Sequence, residues 1–437
     1  MSPTFSALSV RNYRLFFTGM LASNTGTWMQ RVAQDWLVLT LTGGSGAALG
    51  VTMGLQFAPY LLFSLWGGKL ADRMRRRSLL MVTQGAMGLL AVVLATLTLT
   101  GSITITMLYA LSLALGIISA LDAPARQAFV AELVGRDRLT NAVALNSASF
   151  NLGRVGGPAI AGVLIAAIGT GWVFLINGVS FGAAIVALAL IRMAELASPA
   201  TRGKKGEVRL RDGITYLRGR ADLMLVLAVV AAVGTFGFNF PLTLAMMARV
   251  EFGGTAASLG LLSTSIAVGS LAGSLLAARR GAPPLALVAS AAIGFSILEM
   301  GAALMPSVVT LALWMPLVGF AALTFSTAAQ SYVQLHCAPE MRGRVMGVYL
   351  LLFFGGTPFG APLLGWIADT AGPRWTLGLG GLAVLVVVAI SALVMRTRAG
   401  EAGRVADASH RREEAADAAD AAGALDASDD RSVRSKA

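Results

Sequence analysis

A long uncharged stretch decides the fold: residues 78–100 read SLLMVTQGAMGLLAVVLATLTLT. A helix needs about 20 predominantly apolar residues to cross about 30 Å of hydrocarbon, and these residues are enough. Because lipid offers no hydrogen-bond partners, a single crossing segment must satisfy its own backbone groups, as an α-helix does. The stretch therefore predicts a transmembrane helix.

Comparable apolar runs recur along the chain, separated by short polar loops. They predict twelve spans, near residues 13–41, 47–70, 78–100, 104–125, 139–168, 172–192, 222–247, 257–278, 284–305, 308–335, 344–368 and 375–396. Continuous apolar runs of this length are typical of membrane helices and not of a barrel, whose strands alternate. We therefore expect an all-α integral membrane protein.

A polar, basic segment at residues 193–221 divides the twelve spans into two sets of six. Leu210, Ile214 and Leu217 fall at helical spacing within it, so part of this linker is expected to form an amphipathic helix. A weak internal repeat relates the sets, because three residues of the fifth span recur at the same spacing in the eleventh: Arg138, Phe150 and Pro158 with Arg342, Phe354 and Pro362. We expect two pseudo-symmetric six-helix halves, 1–192 and 222–396, as in transporters with parallel repeats.

The composition excludes several functional classes. The chain is 56% hydrophobic and 13% charged, with a mean hydropathy of +0.72, which is too apolar for a soluble domain. Its single cysteine excludes an internal disulfide framework, and we find no nucleotide-binding loop or cluster of metal ligands. We therefore expect no enzyme activity and no cofactor. We expect the energy source to be an ion gradient, which we interpret as a gradient of protons.

The net charge of +12 indicates orientation and not nucleic-acid binding, because basic residues of membrane proteins collect in cytoplasmic loops. Arginines fill the loops around residues 73–77, 126–138, 279–280 and 342–344, which all lie on one side with both termini. This side is predicted to be cytoplasmic. The Ala- and Asp-rich residues 397–437 cannot bury enough apolar surface to fold, so we expect a disordered cytoplasmic tail.

Polar residues inside the spans are expensive in lipid and usually face a cavity or a partner. Spans one, four, seven and ten carry them, a three-helix period that predicts a cavity lined by these four spans. The candidate cavity residues are Asn24, Trp28, Arg31, Asp35, Ser119, Asn239, Thr327 and Ser331. Two structural alternatives remain: an Arg31–Asp35 ion pair one helical turn apart, and hydroxyls that bond their own backbone.

The fifth span combines small residues with a buried cation. Gly153, Gly157, Pro158 and Gly162 predict close helix packing and a bend. Arg154 falls near mid-membrane and should have an acidic or anionic partner, for which Asp35 and Asp122 are candidates. Asp35, Asp122 and Arg154 are therefore our candidates for proton coupling, with Asp35 first.

The loop GKLADRMRRR at residues 68–77 resembles the signature loop of the major facilitator superfamily. The resemblance implies a conformational gate, in which this loop locks the helices at the cytoplasmic side. Its residues would be Gly68, Asp72, Arg73 and Arg77.

Two further features resemble particular branches of that superfamily. Gly153, Gly157, Pro158 and Gly162 resemble its antiporter motif, which is characteristic of exporters. The segments WMQR at 28–31 and DAPARQ at 122–127 resemble a bacterial branch that holds enterobactin-exporter-like and macrolide-efflux proteins.

The resemblance implies a proton-coupled exporter of a small amphipathic molecule, such as a drug, siderophore or secondary metabolite, working by alternating access. We expect a monomer in the bacterial inner membrane whose partners are this substrate and the lipid bilayer, with no nucleic acid. An uptake symporter on the same fold and a non-transporting sensor or scaffold remain as alternatives.

Overall fold

The computed structural model describes residues 3–135, 137–196, 215–217, 219–278, 280–338, 340–394 and 397. Side chains at 3–5, 64–69, 71–72, 140 and 278 are not among the described atoms. Most of the predicted linker 193–221, and the predicted tail 397–437 except for residue 397, therefore lie outside the described residues.

The described part of the chain is almost entirely helical. Twelve long helices follow one another: α1 Arg11–Leu41, α2 Gly46–Arg73, α3 Arg76–Leu99, α4 Ile105–Val134, α5 Leu139–Ile168, α6 Thr170–Ala189, α7 Ala221–Glu251, α8 Ala256–Ala278, α9 Leu285–Ala303, α10 Val308–His336, α11 Arg342–Ala371 and α12 Arg374–Val394. Eleven of them, α2 to α12, contain a segment long and apolar enough to cross a membrane. The more polar α1 has 31 residues and is also long enough.

Residues 1–387 form one compact unit and residues 388–437 a second, of which the described part is the end of α12 and residue 397. The predicted division into halves at 192 and 222 stays a prediction.

One predicted boundary differs clearly from the structure. The fourth span was expected to end near residue 125, yet α4 continues past Pro124 to Val134. The extension buries Phe129, Val130 and Leu133 in an apolar cluster that also contains Tyr13 and Phe16. This packing is worth about 1.5–3 kcal/mol for each large side chain, so it favours helix beyond the hydrocarbon region.

The seventh helix is interrupted in its middle. Regular helix Ala221–Ala232 passes into a wide π turn, Val233–Gly237, and helix resumes at Phe240–Met246. Pro241 lies at the start of the resumed segment, where its missing N–H costs no hydrogen bond. Asn239 is buried at this break and donates through Nδ2 to the Thr235 carbonyl at 2.7 Å. The break therefore leaves polar backbone inside the protein at the depth where transporters bind substrates and ions.

Glycines join the first six helices to the last six. A Cβ at Gly50 of α2 would lie 2.4 Å from the Ala361 carbonyl of α11, and one at Gly365 would lie 2.1 Å from the Gly46 carbonyl. At the α5–α8 contact, a Cβ at Gly162 would lie 3.0 Å from the Gly260 Cα. Only residues without a side chain allow the backbones to approach so closely.

Candidate functional site

The candidate site residues of α1 are distributed among different contacts. Asn24 is buried; its Nδ2 donates to Ser149 Oγ of α5 at 3.2 Å, and its Oδ1 accepts from Arg126 of α4 at 3.1 Å. It therefore ties three helices together. Such a polar tie satisfies a buried amide, which would otherwise cost free energy in an apolar interior.

Arg31 lies among aromatic rings. Its guanidinium carbon is 4.8 Å from the centre of the Trp28 ring and 5.8 Å from that of Phe57 on α2. Trp28 also packs edge-to-face against Phe150 of α5, with centroids 5.6 Å apart. Cation–π contacts hold a cation without neutralising it, so Arg31 can still attract an anion.

Asp35 lies one helical turn after Arg31 and is buried. Within the described residues it forms no ion pair within 4.0 Å and no hydrogen bond, and the predicted structural alternative of an Arg31–Asp35 ion pair is not formed. The adjacent Gln34 donates instead to Ser112 Oγ of α4 at 2.6 Å. Asp35 is thus a buried carboxyl group without a fixed partner among the described residues.

Asp122 has a different environment. It is fully buried, pairs with Arg126 one turn later in α4, and accepts hydrogen bonds from Thr83 at 2.6 Å and Gln84 at 3.1 Å on α3. Arg126 in turn reaches Asn24, so the network joins α1, α3 and α4. These contacts hold the Asp122 carboxylate in one position and satisfy its oxygens.

The glycine motif of α5 brings it against two helices. A Cβ at Gly157 would lie 2.6 Å from Trp28 Cβ, and one at Gly153 would lie 3.1 Å from the Asn24 backbone, both on α1. Towards the other end, Gly162 and the Pro158 carbonyl contact Gly260 of α8. The motif therefore connects α1, from the first six helices, with α8, from the last six.

Arg154 lies between these contacts, and its Nε is buried without a hydrogen-bond partner in the described part of the chain. Its proposed partners, Asp35 and Asp122, form no ion pair with it within 4.0 Å. A half-buried guanidinium whose buried Nε donor is unused is available to an anionic ligand.

The remaining candidate cavity residues are not brought together at one point. Ser119 Oγ lies 3.7 Å from Met87 Sδ, and Thr327 Oγ1 donates to the Leu323 carbonyl of its own helix at 2.8 Å. Thr327 and Ser331 line a groove beside Arg280, between α8 and α10. Asn239 lies at the break in α7.

The predicted gate loop is described in part. Gly68 and Asp72 belong to helix α2, although the Asp72 side chain is outside the described atoms. Arg73, the last residue of α2, is exposed. Arg77 donates to the Leu188 and Ala189 carbonyls at 2.7 and 2.8 Å. It therefore caps the C-terminus of α6, where a cation is favoured.

The sequence did not predict a polar contact between the N-terminus of α2 and the C-terminal turn of α11. Asp369 accepts hydrogen bonds from the backbone N–H of Gly46 at 2.5 Å, that of Ala47 at 2.9 Å, and the Ser45 hydroxyl at 3.0 Å. A carboxylate is stabilised at a helix N-terminus because it accepts from free N–H groups and faces the positive end of the helix dipole. We call these residues the Asp369 latch.

The fold and these contacts define a polytopic membrane protein of the transporter class, and the sequence shows its family. Residues 2–424 match the family model of the transmembrane secretion effectors of the major facilitator superfamily, so the chain belongs to this family. This confirms the predicted superfamily. It also confirms that the protein is a transporter and not an enzyme.

Curated relatives include siderophore transporters. The chain is 25% identical over 381 residues to the staphyloferrin A transporter of Staphylococcus aureus, covering 86% of this chain and 94% of that one. It is 26% identical over 345 residues to the enterobactin exporter EntS of Shigella flexneri, covering 78% and 80%. This chain is therefore a secondary transporter of the major facilitator type, a multi-pass membrane protein with a small-molecule substrate.

Solved structures show the same fold. A bacterial homologue of the human lysosomal transporter Spinster, in an inward-facing and unoccupied conformation, gives a TM-score of 0.70 at 16% identity, covering 91% of this chain and 98% of that chain. The nucleoside transporter NupG gives 0.69 at 11% identity, covering 88% and 99%. The predicted all-α fold of the major facilitator type is confirmed.

Proposed function

We propose that this protein is a proton-coupled exporter of a small, anionic amphipathic molecule of the siderophore class, working by alternating access. The proposed exporter is a monomer in the bacterial inner membrane with both termini cytoplasmic. The antiporter motif of α5 supports export, and the similarity to a staphyloferrin A transporter and an enterobactin exporter supports the substrate class.

The observation that carries alternating access is the position of the contacts between the two sets of six helices. In the described residues, the glycines of α2 that meet the other set are Gly46, Gly50 and Gly54, within the first nine residues of this helix. At 1.5 Å per residue this is about 12 Å, less than half of the bilayer. The Asp369 latch closes the same end. A further contact, between Leu61 of α2 and Gly355 of α11, lies nearer the middle of the helices. Close backbone contacts at one membrane face are expected of a two-state transporter closed on that face.

Substrate recognition is proposed to use the cations and rings around α1 and α5. Arg31 and Arg154 keep unneutralised charge, and Trp28 offers an aromatic surface beside Arg31. An anionic molecule with aromatic or apolar parts satisfies both features. Asp35 is the proposed coupling group, since its buried carboxyl has no competing partner. Asp72, Arg73 and Arg77 remain the proposed gate of the arginine-rich face.

Everted vesicles with a pH indicator in the lumen test the proposal. Adding enterobactin or staphyloferrin A outside should drive protons out of the lumen, because antiport exchanges the two in opposite senses. Lumenal acidification would instead show a symporter. The absence of any flux with either compound would contradict transport of this substrate class.

Substitution tests the coupling group. Asp35→Asn should abolish the substrate-driven proton movement, because an amide does not release a proton. The matched control is Asp137→Asn, at an exposed acid in the loop before α5, which should behave like the wild type. Unchanged proton movement in Asp35→Asn would remove Asp35 from the mechanism.

A further inference from the structure

A second buried acid, Glu299, lies on α9. The side chain of Glu299 has 0% exposure, and both of its carboxylate oxygens lack a hydrogen-bond partner within the described residues. An ionised carboxylate in this state would lose its hydration without compensation, at a cost of several kcal/mol. The charge must therefore be removed or matched.

The carboxyl group of Glu299 lies between two glycines of neighbouring helices. Its Oε2 is 3.6 Å from where a Cβ of Gly237 would be, in the π turn of α7. Its Oε1 is 3.3 Å from where a Cβ of Gly380 would be, on α12. The absence of side chains at both glycines provides the space that the carboxyl group occupies.

A backbone oxygen shares this space. The Phe236 carbonyl oxygen lies 3.0 Å from the same Cβ position of Gly380, so it and Glu299 Oε1 both border the space that this glycine leaves open. Both oxygens are acceptors while the carboxyl group is ionised, so neither can then donate a hydrogen bond to the other. A protonated carboxyl group supplies a hydroxyl that can donate to such a carbonyl. The arrangement thus has a place for one proton.

The surroundings favour a proton over a metal ion. The ring of Phe295 contacts the Gly237 position at 2.7 Å, and Phe238 and Phe240 pack edge-to-face against Phe295 with centroids 5.6 and 6.2 Å away. A metal ion needs several oxygen ligands, whereas this wall is formed by phenyl rings.

Charged groups are remote from the carboxyl group. The described charged residues of α7 and α12 lie towards the helix ends: Asp222 pairs with Arg220, Arg249 lies over the Trp36 ring at 5.0 Å, and Glu251 and Arg374 bind each other at 2.6 Å. The rest of α9 has none, and neither does the segment of α10 around Trp314, which contacts Gly301.

We propose that Glu299 is a proton-binding site seated against the break in α7, and that its proton is exchanged during the transport cycle. The step is a simple transfer: the carboxyl O–H bond breaks, and the proton passes to water when the cycle opens the site. The carboxylate that remains is buried without a partner against the break, which favours a different bend of α7. This inference deepens the proposed proton coupling and rests on it for the exchange step.

Infrared spectroscopy of the purified full chain tests the site without any substrate. At neutral pH the wild type should show a carboxylic-acid C=O band that shifts in D2O and is lost in Glu299→Gln. The matched control Glu195→Gln, at an exposed acid beside Arg192, should keep the band. An identical acid band in wild type and Glu299→Gln would overturn the proposal. A wild-type spectrum that shows a sodium-sensitive carboxylate band in place of the acid band would also overturn it.

A second variant guards against a Glu299→Gln protein that fails to fold. Gly380→Ala keeps the acid but places a methyl group against Glu299 Oε1 and the Phe236 oxygen, so the acid band should shift. An unshifted band would contradict the proposed position of the proton.

Vesicles separate this inference from the proposed function. Wild-type vesicles that move no protons with enterobactin or staphyloferrin A would contradict proton coupling, while the infrared result would still report on the site. Wild-type flux that persists unchanged in Glu299→Gln would overturn the exchange step alone. Loss of the flux in Glu299→Gln would support it.

Discussion

The Asp369 latch allows a quantitative prediction about the conformational equilibrium. Asp369→Ala removes three acceptor contacts to the first turn of α2 and the negative charge at its N-terminus. The contacts hold only while the two helix ends are together, so their loss should destabilise the state closed at this face and leave the open state unaffected.

The magnitude follows from exposure. Charge-assisted hydrogen bonds and helix-dipole interactions can each reach 1 kcal/mol or more, but Asp369 is exposed and water competes for its oxygens. We expect a total of about 1–2 kcal/mol, which changes the ratio of closed to open molecules about 5- to 30-fold. Asp369→Asn should have a smaller effect, because its amide oxygen still accepts a hydrogen bond.

Spin-label distances across this face measure the ratio. Labels at Ser102→Cys and Ala371→Cys, both exposed, would be placed in a Cys337→Ser background. The wild type should show mainly one short distance, and Asp369→Ala a larger population of longer distances. Thr370→Ala, at the neighbouring exposed hydroxyl, is the matched control. Identical distance distributions for the wild type and Asp369→Ala would refute the reasoning.

Three further outcomes are expected. Gly50→Val should favour the state open at the latch face, because even a Cβ would lie 2.4 Å from the Ala361 carbonyl; unchanged spin-label distances would contradict this. Asp122→Ala should reduce the free energy of unfolding by about 3 kcal/mol and so lower the thermal midpoint in detergent. This is the low end for a broken buried ion pair, because Arg126 is 24% exposed. An unchanged midpoint would show that the pair does not stabilise the protein. Maleimide should label Cys337 slowly at neutral pH, because burial raises the pKa of its thiol and the thiolate is the reactive form. The rate should rise about tenfold per pH unit below that pKa, and a rate independent of pH would contradict the assignment.

The spans could be predicted from the sequence because hydropathy and length determine whether a helix can cross lipid. Residues 78–100, for example, nearly coincide with α3, Arg76–Leu99. The end of α4 could not be predicted in this way, since Phe129 and Leu133 are buried by protein and not by lipid. The break in α7 could not be predicted from hydropathy, because the residues on both sides of it are as apolar as those of an unbroken span.

The roles of the candidate site residues stay predictions. A polar stripe on α1 cannot distinguish a cavity wall from contacts between helices, and the structure places Asn24 in contacts between helices and Arg31 beside aromatic rings. Asp369 was missed because its partners lie more than 320 residues earlier in the chain. Residue type alone carries no signal for such a contact.

The glycine contacts of Gly46, Gly50 and Gly365 have a kinetic consequence. A seam between two bare backbones has no side-chain rotamers to immobilise when it closes and none to release when it opens. The two helices can therefore meet and separate here without interlocking side chains. Opening and closing of this contact therefore carry little cost in side-chain entropy.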